Sequence, residues 1–545
     1  MLRITELALP LGHPPGALRQ AIIQRLDIQD SDLLDFTVFK RSYDARKKNS
    51  EIKFIYIVDV SLRNESAVTR RLQKDKHIRS TPDMHYHPPG HAPDCLTERP
   101  LVVGFGPCGL FAAQTLAQLG FKPIVLERGK EVRQRTKDTW ALWRNGVLSP
   151  ESNVQFGEGG AGLFSDGKLY SQIKDPKFYG RKVMREFVRA GAHEEILYVS
   201  KPHIGTFRLT GIVSKMREEL KAMGAEVRFE SKVSDLIVSN GRVEGVLLQN
   251  GEQINSRYVI LALGHSARDT FRMLQRRGVH IEPKPFAIGF RIEHPQSLVD
   301  QARLGKYAGH PELGAADYKL IHHAKNGRAV YSFCMCPGGT VVAATSETGR
   351  VVTNGMSQYS RKERNANAGL VVGITPGKDF PGGPLAGVDL QEQLESGAFE
   401  LGGNDYSAPV QLVGDFIKGR ASTAIGGVVP SYTPGVLPAD LSKSLPGYAI
   451  EAIREAIPEF AKQIKGFDRA DAILTGVETR TSSPIRITRD RSSLQSINTR
   501  GLYPAGEGAG YAGGILSAGV DGIKVADALI VQMLADLQGD QNETG

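Results

Sequence analysis

A glycine-rich turn behind a short apolar run constrains this chain more than any other feature. Residues 101–109 read Leu-Val-Val-Gly-Phe-Gly-Pro-Cys-Gly, a pattern typical of a buried strand that runs into the start of a helix. Gly104 permits the tight turn, Gly106 lets the backbone approach a pyrophosphate, and Gly109 lets the helix pack closely on the strand. We therefore predict a parallel α/β sheet whose first strand-to-helix turn binds a dinucleotide.

The following residues complete a dinucleotide-binding fingerprint. Residues 110–119 have the apolar spacing of a helix, and residues 122–126 predict a second strand that ends at Glu127. An acid at that place binds ribose hydroxyls, and the pyrophosphate lies on free N–H groups at the helix start. We expect these nucleotide-binding residues: Gly104, Gly106, Pro107, Cys108, Gly109, Glu127 and Arg128.

A second segment favours FAD over NAD as the dinucleotide. Residues 499–508 resemble the second FAD fingerprint of the glutathione-reductase-like flavoproteins, with Glu507 where most of those families have Asp. In that fingerprint the acid holds the ribityl chain. An apolar helical stretch begins at Ile515, and a helix N-terminus stabilises negative charge on a reduced flavin. The resemblance implies these FAD contacts: Gly506, Glu507, Gly513, Gly514 and Ile515.

Glycines are also dense in residues 156–169, which we interpret as the loop that meets the isoalloxazine ring. So many glycines cost conformational entropy, and they make sense where backbone lies flat against a ligand. Residues 258–265 form an apolar run that ends in small residues, similar to the Ala-Thr-Gly turn of those flavoproteins, with Leu263 at the threonine position. The remaining expected cofactor contacts are Gly159, Gly160, Ala161, Gly162, Lys168, Val233 and Gly264.

Most of the chain from Gly104 to Asp527 resembles a bacterial family of FAD-dependent dehydrogenases of unknown substrate. The resemblance is carried by long strings at residues 156–169, 284–296, 331–341, 475–487 and 503–522. It implies an α/β fold: a discontinuous Rossmann-like FAD-binding domain, an inserted mainly-β substrate domain and a small N-terminal α/β domain of ferredoxin-like type. It names no substrate.

The expected domain boundaries follow from composition and from the two fingerprints. A chain of 545 residues exceeds what one hydrophobic core usually supports. Prolines between residues 82 and 93 predict a linker, and a sheet that starts at Leu101 and finishes near Glu507 must be interrupted by an insert. We predict an N-terminal domain at 1–80, a linker at 81–98, the FAD domain at 99–282 and 479–545, and the substrate domain at 283–478, with a surface loop and a short helix within 382–403.

Five side chains are candidates for chemistry at the flavin. Lys168, Arg480 and Arg486 are the cations expected there, and a guanidinium grips a carboxylate or phosphate in two-pronged fashion unless it braces the backbone instead. If residues 333–336 form a strand, Cys334 and Cys336 present both thiols on one face. The two cysteines are either a redox-active pair or small residues that tight packing requires at these positions.

The predicted function is an FAD-dependent oxidoreductase, a dehydrogenase or reductase, with hydride transfer at flavin N5 and a small, anionic substrate. No second glycine fingerprint follows a strand in the insert, so hydride would come either from the substrate itself or from NAD(P)H that visits the flavin transiently. Two alternatives stay open: a flavoprotein of RNA modification that binds tRNA, and a flavin-binding redox sensor without catalysis. Basic residues at 40–48 and 70–79 form either a nucleic-acid surface or a solvated face interrupted by Asp44 and Asp75.

Composition bounds the cellular setting. The chain has four cysteines, a net charge of +9 and no apolar run of membrane-spanning length or signal-peptide pattern, so we expect a cytoplasmic protein without a membrane span. His85, His87 and His91 lie among prolines in an extended linker, where ligands do not converge, so we expect no metal site.

Overall fold

The computed structural model describes residues 1–45 and 51–543, with side chains through Gly539, as a mixed α/β structure with parallel and antiparallel sheets. Its first part contains β1 (Leu2–Pro10), α1 (Ala17–Leu26), β2 (Leu33–Asp44), β3 (Lys53–Leu62), α2 (Glu65–Leu72) and β4 (Ile78–Ser80). These strands form one antiparallel sheet in the order β2-β3-β1-β4. Inward residues of β1 and β3 alternate with outward ones and pack on Leu18, Ile22 and Leu26 of α1.

The next elements belong to the part that holds the glycine fingerprints. They are β5 (Leu101–Val103), α3 (Pro107–Gln118), β6 (Ile124–Leu126), α4 (Val132–Asn145), α5 (Tyr179–Arg189), α6 (Thr206–Ala222), β7 (Glu226–Arg228), β8 (Val233–Ser239), β9 (Arg242–Leu248), β10 (Gln253–Asn255), β11 (Val259–Leu261), α7 (Arg268–Arg276) and β12 (Ile281–Pro283). After Asn255 the chain returns to the parallel sheet at β11.

Residues 286–478 then form β13 (Phe286–Pro295), α8 (Gln296–Leu304), β14 (Ile321–His323), β15 (Ala329–Cys336), β16 (Gly339–Ala343), β17 (Thr353–Ser357), β18 (Asn365–Ile374), α9 (Ala386–Leu401), β19 (Ala408–Leu412), α10 (Val413–Lys418), β20 (Val436–Pro438), α11 (Gly447–Ala461) and β21 (Ile473–Glu478). The chain ends with β22 (Ile485–Ile487), β23 (Leu502–Pro504) and α12 (Ile515–Glu543).

A five-stranded parallel sheet in the order β23-β11-β5-β6-β7 joins distant parts of the chain. Strands β5, β11 and β23 are fully buried and apolar, as expected for a parallel sheet covered on both faces, whereas the edge strand β7 is half-buried and carries Glu226 and Arg228. The C-terminal helix α12 packs along α3, and a Cβ atom built on Gly522 would lie 2.2 Å from the carbonyl oxygen of Cys108. The second fingerprint therefore returns to the side of the first.

Residues 286–478 build a separate seven-stranded sheet in the order β14-β15-β18-β13-β21-β19-β20. This insert is less purely β than the sequence indicates. Within residues 283–478, all of which the structure describes, α8 to α11 accompany the strands, and α9 runs through 16 residues where a short helix is predicted. Alanine and glycine spacing hides this helix from apolar-periodicity analysis.

The N-terminal sheet is joined to the rest of the molecule through β2. The Arg41 amide donates to the Tyr198 carbonyl at 2.6 Å, and the Ser200 amide donates to the Arg41 carbonyl at 2.9 Å. Edge pairing of this kind fixes the direction in which the β2 side chains point. Among the helices that the structure describes, none combines the length and apolar character needed to cross a bilayer.

Candidate cofactor and active site

A cavity of about 1430 Å³ lies between the carboxyl ends of the parallel strands and the seven-stranded sheet. That edge of a parallel sheet is where open α/β folds bind ligands. Of the residues singled out from the sequence, the following line it: Gly104, Gly106, Pro107, Cys108, Glu127, Arg128, Gly160, Ala161, Gly162, Lys168, Val233, Gly264, Cys334, Arg480, Glu507, Gly513, Gly514 and Ile515. Gly109, Gly159, Cys336, Arg486 and Gly506 do not.

The first glycine turn has the sterics of a phosphate-binding turn. Gly104 has a φ of +101°, and a Cβ atom there would lie 2.6 Å from the Ala262 carbonyl oxygen. A Cβ atom on Gly109 would lie 1.9 Å from the Gly104 carbonyl oxygen, so Gly109 serves the packing of α3 rather than the cavity wall. No side chain caps the start of α3, whose first N–H groups therefore stay available for an anion.

Glu127 is buried and ties three separate backbone segments together. Its Oε2 accepts from the Phe105 amide at 2.8 Å, and its Oε1 accepts from the amides of Gly129 and Gly157, each at 2.9 Å. The carboxylate thus fixes the glycine turn and the glycine-rich loop while it also lines the cavity. Beside it, Arg128 pairs with Glu151 at 2.7 Å and covers the ring of Phe156.

The glycine-rich loop is held by an arginine that sequence analysis missed. The fully buried Arg135 of α4 donates to the carbonyls of Asn153 and Val154 at 2.8 Å and of Glu158 at 2.6 Å. A Cβ atom on Gly157 would lie 2.4 Å from its Cδ. The only signal in the sequence for this role is that Arg135 lies on the buried face of α4, between Val132 and Leu142.

Glycines bring this loop, the first turn and the start of α12 into contact. Gly160 has a φ of +60°, and a Cβ atom on it would lie 2.8 Å from the Gly106 Cα. A Cβ atom on Gly162 would lie 2.8 Å from the Cγ1 of Ile515, the first residue of α12. Both fingerprints and the intervening loop therefore border a single space, as a bound dinucleotide requires.

Glu507 faces the cavity from the second fingerprint. Its carboxyl group has no hydrogen-bond partner among the described residues, and burial raises its pKa to about 7 although Lys284 acts in the opposite direction. The turn beneath it is fixed by Asp521 of α12, which accepts from the Gly506 amide at 2.8 Å and pairs with Arg489 at 2.6 Å. Glu507 is thus an acceptor aimed into the cavity without a protein donor.

Lys168 and the two cysteines come together on the opposite wall. The Lys168 Nζ donates to the Met335 carbonyl and lies 3.7 Å from Asp166. Burial lowers the pKa of Lys168, but Cys334, Cys336 and Asp166 outweigh it, so the pKa is raised and the ammonium stays charged. Cys334 lies on the cavity wall and Cys336 lies behind it, because a bulge between Phe333 and Cys336 breaks the alternation expected from a regular strand.

Arg480 is committed to protein partners. Its Nε and Nη2 bind Glu395 at 2.9 and 2.6 Å, and its other N–H groups reach Ser266, Ser346 and Glu347. This geometry favours the bracing role over the substrate clamp. Arg486 is exposed on β22, outside the cavity, and lies near the ring of Tyr511. The structure therefore does not bring the two arginines together.

Three further cavity residues were not singled out from the sequence. His265 follows β11, where burial and the neighbouring cations Arg480 and Arg268 lower its pKa to about 3, so it is neutral. Glu478 forms a 2.8 Å ion pair with Arg291, yet burial raises its pKa to about 7. Lys40 of β2 lines the mouth and lacks a partner among the described residues. Only the fold reveals that the N-terminal domain reaches the cavity.

The remaining candidate features lie away from the cavity. His85 and His87 both contact Asp83 on the surface, and no group of three His, Cys, Asp or Glu side chains in the described part of the chain is arranged to hold a metal ion. In the second basic stretch, Arg71 donates to the carbonyls of Leu26 and Asp27. Part of the first basic cluster, residues 46–48, lies outside the described residues.

Comparisons with known proteins agree with this geometry. A family model described as "FAD-dependent protein, C-terminal domain-like" matches residues 285–481, and a domain of unknown function, DUF8436, matches residues 1–61. An uncharacterized protein of Clostridium beijerinckii is 50% identical over 531 residues, which cover 97% of this chain and 98% of that protein. These comparisons support FAD as the cofactor of this chain.

Two solved structures match this chain at low similarity. Amadoriase I, a fructosyl amine:oxygen oxidoreductase of Aspergillus fumigatus, is 13% identical, with 81% of this chain and 88% of that chain covered and a TM-score of 0.36. A glycine oxidase of Bacillus cereus is 12% identical, with 80% and 96% covered and a TM-score of 0.32. We draw nothing about activity from similarity at this level.

Proposed function

We propose an FAD-dependent oxidoreductase function for this chain, which belongs to the same family as the clostridial protein and carries the C-terminal domain of FAD-dependent proteins. One observation carries the proposal. A single cavity is bordered by both glycine turns and also by a cluster of ionisable and thiol side chains on the inserted sheet. A binding scaffold alone would have no use for the second wall, so its chemistry favours catalysis over the redox-sensor alternative.

The cofactor fits the residues along one side of the cavity. The uncapped start of α3 and Gly106 would hold the pyrophosphate, Glu127 the ribose and Val233 the adenosine end. Glu507 would hold the ribityl chain, since its carboxyl group otherwise lacks a donor. When bound, FAD supplies hydride chemistry at N5, and the start of α12 favours the negative charge of the reduced ring.

The opposite wall supports a small, anionic substrate. Lys168 is a buried, charged ammonium on that wall, and Lys40 and Lys319 add cations at the mouth that have no carboxylate partner among the described residues. Cations in a cleft with low-dielectric walls attract and orient anions. Lys168 would hold a carboxylate or phosphate of the substrate, and Glu478, with its raised pKa, would move a proton.

The strand topology supports the domain division proposed from sequence. The strands β5, β11 and β23 pair in one sheet across the insert, which favours a discontinuous FAD domain at 99–282 and 479–545. The seven-stranded sheet lies wholly within the proposed substrate domain at 283–478. The cavity lies between these two domains, so that the cofactor and the substrate would be bound by different parts of the chain.

Anaerobic reduction of the purified holoprotein tests the function. We expect one component of a donor panel, comprising NADH, NADPH and fractions of a metabolite extract, to bleach the flavin absorbance in a stopped-flow experiment. A fraction that bleaches it without nicotinamide would identify the substrate as direct donor. Absence of reduction by every donor, while dithionite reduces the same flavin, would contradict catalysis and favour the redox sensor.

A variant pair tests the role of Lys168. Lys168→Met removes the buried charge and is expected to slow reduction about 100-fold, the cost of one lost electrostatic contact in an active site, while FAD stays bound. The matched control is Lys174→Met, which removes an exposed lysine outside the cavity and should reduce at the wild-type rate. Equal rates in both variants would remove Lys168 from the active site.

A further inference from the structure

The bulge in β15 places two cysteines in unlike positions. Phe333 pairs with Gly369 and Cys336 pairs with Asn367, so β15 has one more residue than its partner between these points. Cys334, inside the bulge, has a φ of +42°, a conformation that non-glycine residues adopt rarely. Its side chain therefore faces the cavity, while the Cys336 Sγ lies behind it, 3.3 Å from the Cys334 carbonyl oxygen.

Two cations lie against the segment of β15 that carries these sulfur atoms. The Lys168 ammonium is held against the strand by the Met335 carbonyl, and the Arg291 Nη1 donates to the Cys334 carbonyl at 3.0 Å. The hydrogen bond from Cys336, followed by Lys168 and Arg291, lowers the pKa of Cys334 well below that of an ordinary thiol despite burial. The same contact raises the pKa of Cys336, so Cys334 is the member of the pair that loses its proton first.

We propose that Cys334 and Cys336 form a two-electron redox pair that exchanges electrons with bound FAD, an inference that rests on the proposed oxidoreductase function. In the oxidising direction, the Cys334 thiolate and the Cys336 thiol give up two electrons and one proton to FAD as the sulfur–sulfur bond forms. One S–H bond breaks, one S–S bond forms, and the negative charge passes from sulfur to the reduced cofactor. No further reactant is needed for balance.

The strain of a disulfide between Cys334 and Cys336 explains why the pair would transfer electrons and would not serve as a structural disulfide. Disulfide geometry is specific, and a ring closed by cysteines two residues apart is strained, which makes the bond more easily reduced. Cys336 is buried, and the half-buried Cys334 lines the cavity. An easily reduced disulfide beside a flavin readily accepts a second pair of electrons from the reduced cofactor.

Anaerobic dithionite titration of the air-oxidised holoprotein counts those electrons. We expect about four electrons per FAD for the wild type and about two for Cys334→Ser and for Cys336→Ser, since each couple takes two. Cys95→Ser is the matched control: Cys95 is exposed and outside the cavity, and this variant should still take about four. A wild type that takes two electrons overturns the redox pair but leaves the flavin function standing, whereas a chain without FAD fails the function itself.

A second measurement follows the alkylation of the cysteines in protein without the cofactor. In flavin-free protein, brief treatment with iodoacetamide followed by peptide mass spectrometry should label Cys334 at least about tenfold faster than Cys95, because the thiolate is the reactive form. After air oxidation and unfolding, two of the four cysteines should resist alkylation until a reductant is added. Slower labelling of Cys334 than of Cys95, together with four alkylated cysteines before reduction, would overturn the proposal.

Discussion

At the scale of single residues, the two acids of the glycine fingerprints differ in what surrounds them. Glu127 already accepts three backbone N–H groups, so part of its role is to shape the turn before any nucleotide arrives. Glu507 has no protein donor and carries the cost of burial instead. The sequence predicts both as nucleotide-binding residues. It does not distinguish a carboxylate that is hydrogen-bonded to the protein from one that has no donor until a ligand binds.

Removal of the Glu127 carboxylate should cost stability as well as affinity. In Glu127→Ala, the amides of Phe105, Gly129 and Gly157 lose their acceptor, and unsatisfied buried donors cost about 1–3 kcal/mol each in unfavourable cases. We expect a lower free energy of unfolding for the flavin-free protein, measured by urea denaturation, and weaker FAD binding. The control Glu451→Ala, at an exposed position of α11, should change neither. Unchanged apoprotein stability in Glu127→Ala would show that these contacts do not form.

Glu507 predicts a pH dependence with a definite sign. Its folded-state pKa is about 7 and its ordinary value is 4.5, so the folded chain keeps a proton that the unfolded chain releases between these values. Its contribution to stability is present below pH 4.5 and is lost as the pH rises through 7. We expect Glu507→Gln to raise the melting temperature of the flavin-free protein at pH 8 and to leave it nearly unchanged at pH 4.5. An equal effect at both pH values would refute the shift.

At the scale of elements, the contact of α12 with α3 decides whether the two fingerprints meet. The sequence predicts both helices, because apolar spacing and glycine punctuation mark them locally. It does not predict that Gly519 and Gly522 let the helices approach closely, since that depends on which faces meet in three dimensions. The bulge in β15 escaped prediction for the same reason, because β-bulges depend on neighbours far away in sequence. The helix predicted within 382–403 is present as α9 but is longer than expected.

A pair of glycine variants on one helix tests this contact. Gly522→Ala places a methyl group 2.2 Å from the Cys108 carbonyl oxygen, which forces α12 away from the phosphate turn. We expect a loss of about 2 kcal/mol or more in unfolding free energy and a lower FAD content. Gly539→Ala on the same helix meets open space and should be neutral or slightly stabilising. Equal behaviour of the two variants would contradict the close crossing.

At the scale of the whole molecule, a buried ion network joins the parallel-sheet part to the insert. Glu395 of α9 is fully buried between Arg268 of α7 and Arg480, at 2.7 and 2.6 Å. Sequence analysis found Arg480 but left it either as a substrate clamp or as a bracing residue, because an arginine near a flavin fingerprint gives no local sign of its partner. The motifs were enough to predict one wall of the cavity and the cofactor. The domain junction, and the reach of the N-terminal sheet to the mouth, required the fold.

Neutralisation of Glu395 should weaken this junction strongly. Glu395→Gln removes the buried carboxylate that both guanidinium groups share and leaves them only the less buried Glu347, so we expect a cost of about 3 kcal/mol, the lower end for breaking a buried pair. Asp389→Asn, in an exposed pair with Arg272, is the control and should cost less than about 1 kcal/mol. Calorimetric unfolding of both variants is the measurement. A Glu395→Gln chain as stable as the control would show that the junction does not depend on the network.

The central claim, that this cavity binds FAD through the first glycine turn, is tested most directly by the flavin content of Gly106→Val. Gly106 lines the cavity and lies against Gly160, so the branched side chain would occupy space needed by both the loop and the pyrophosphate. We expect wild type and Cys95→Ser to be purified with about one FAD per chain, and Gly106→Val to be folded by circular dichroism but colourless. A folded valine variant with a full complement of FAD would contradict the account.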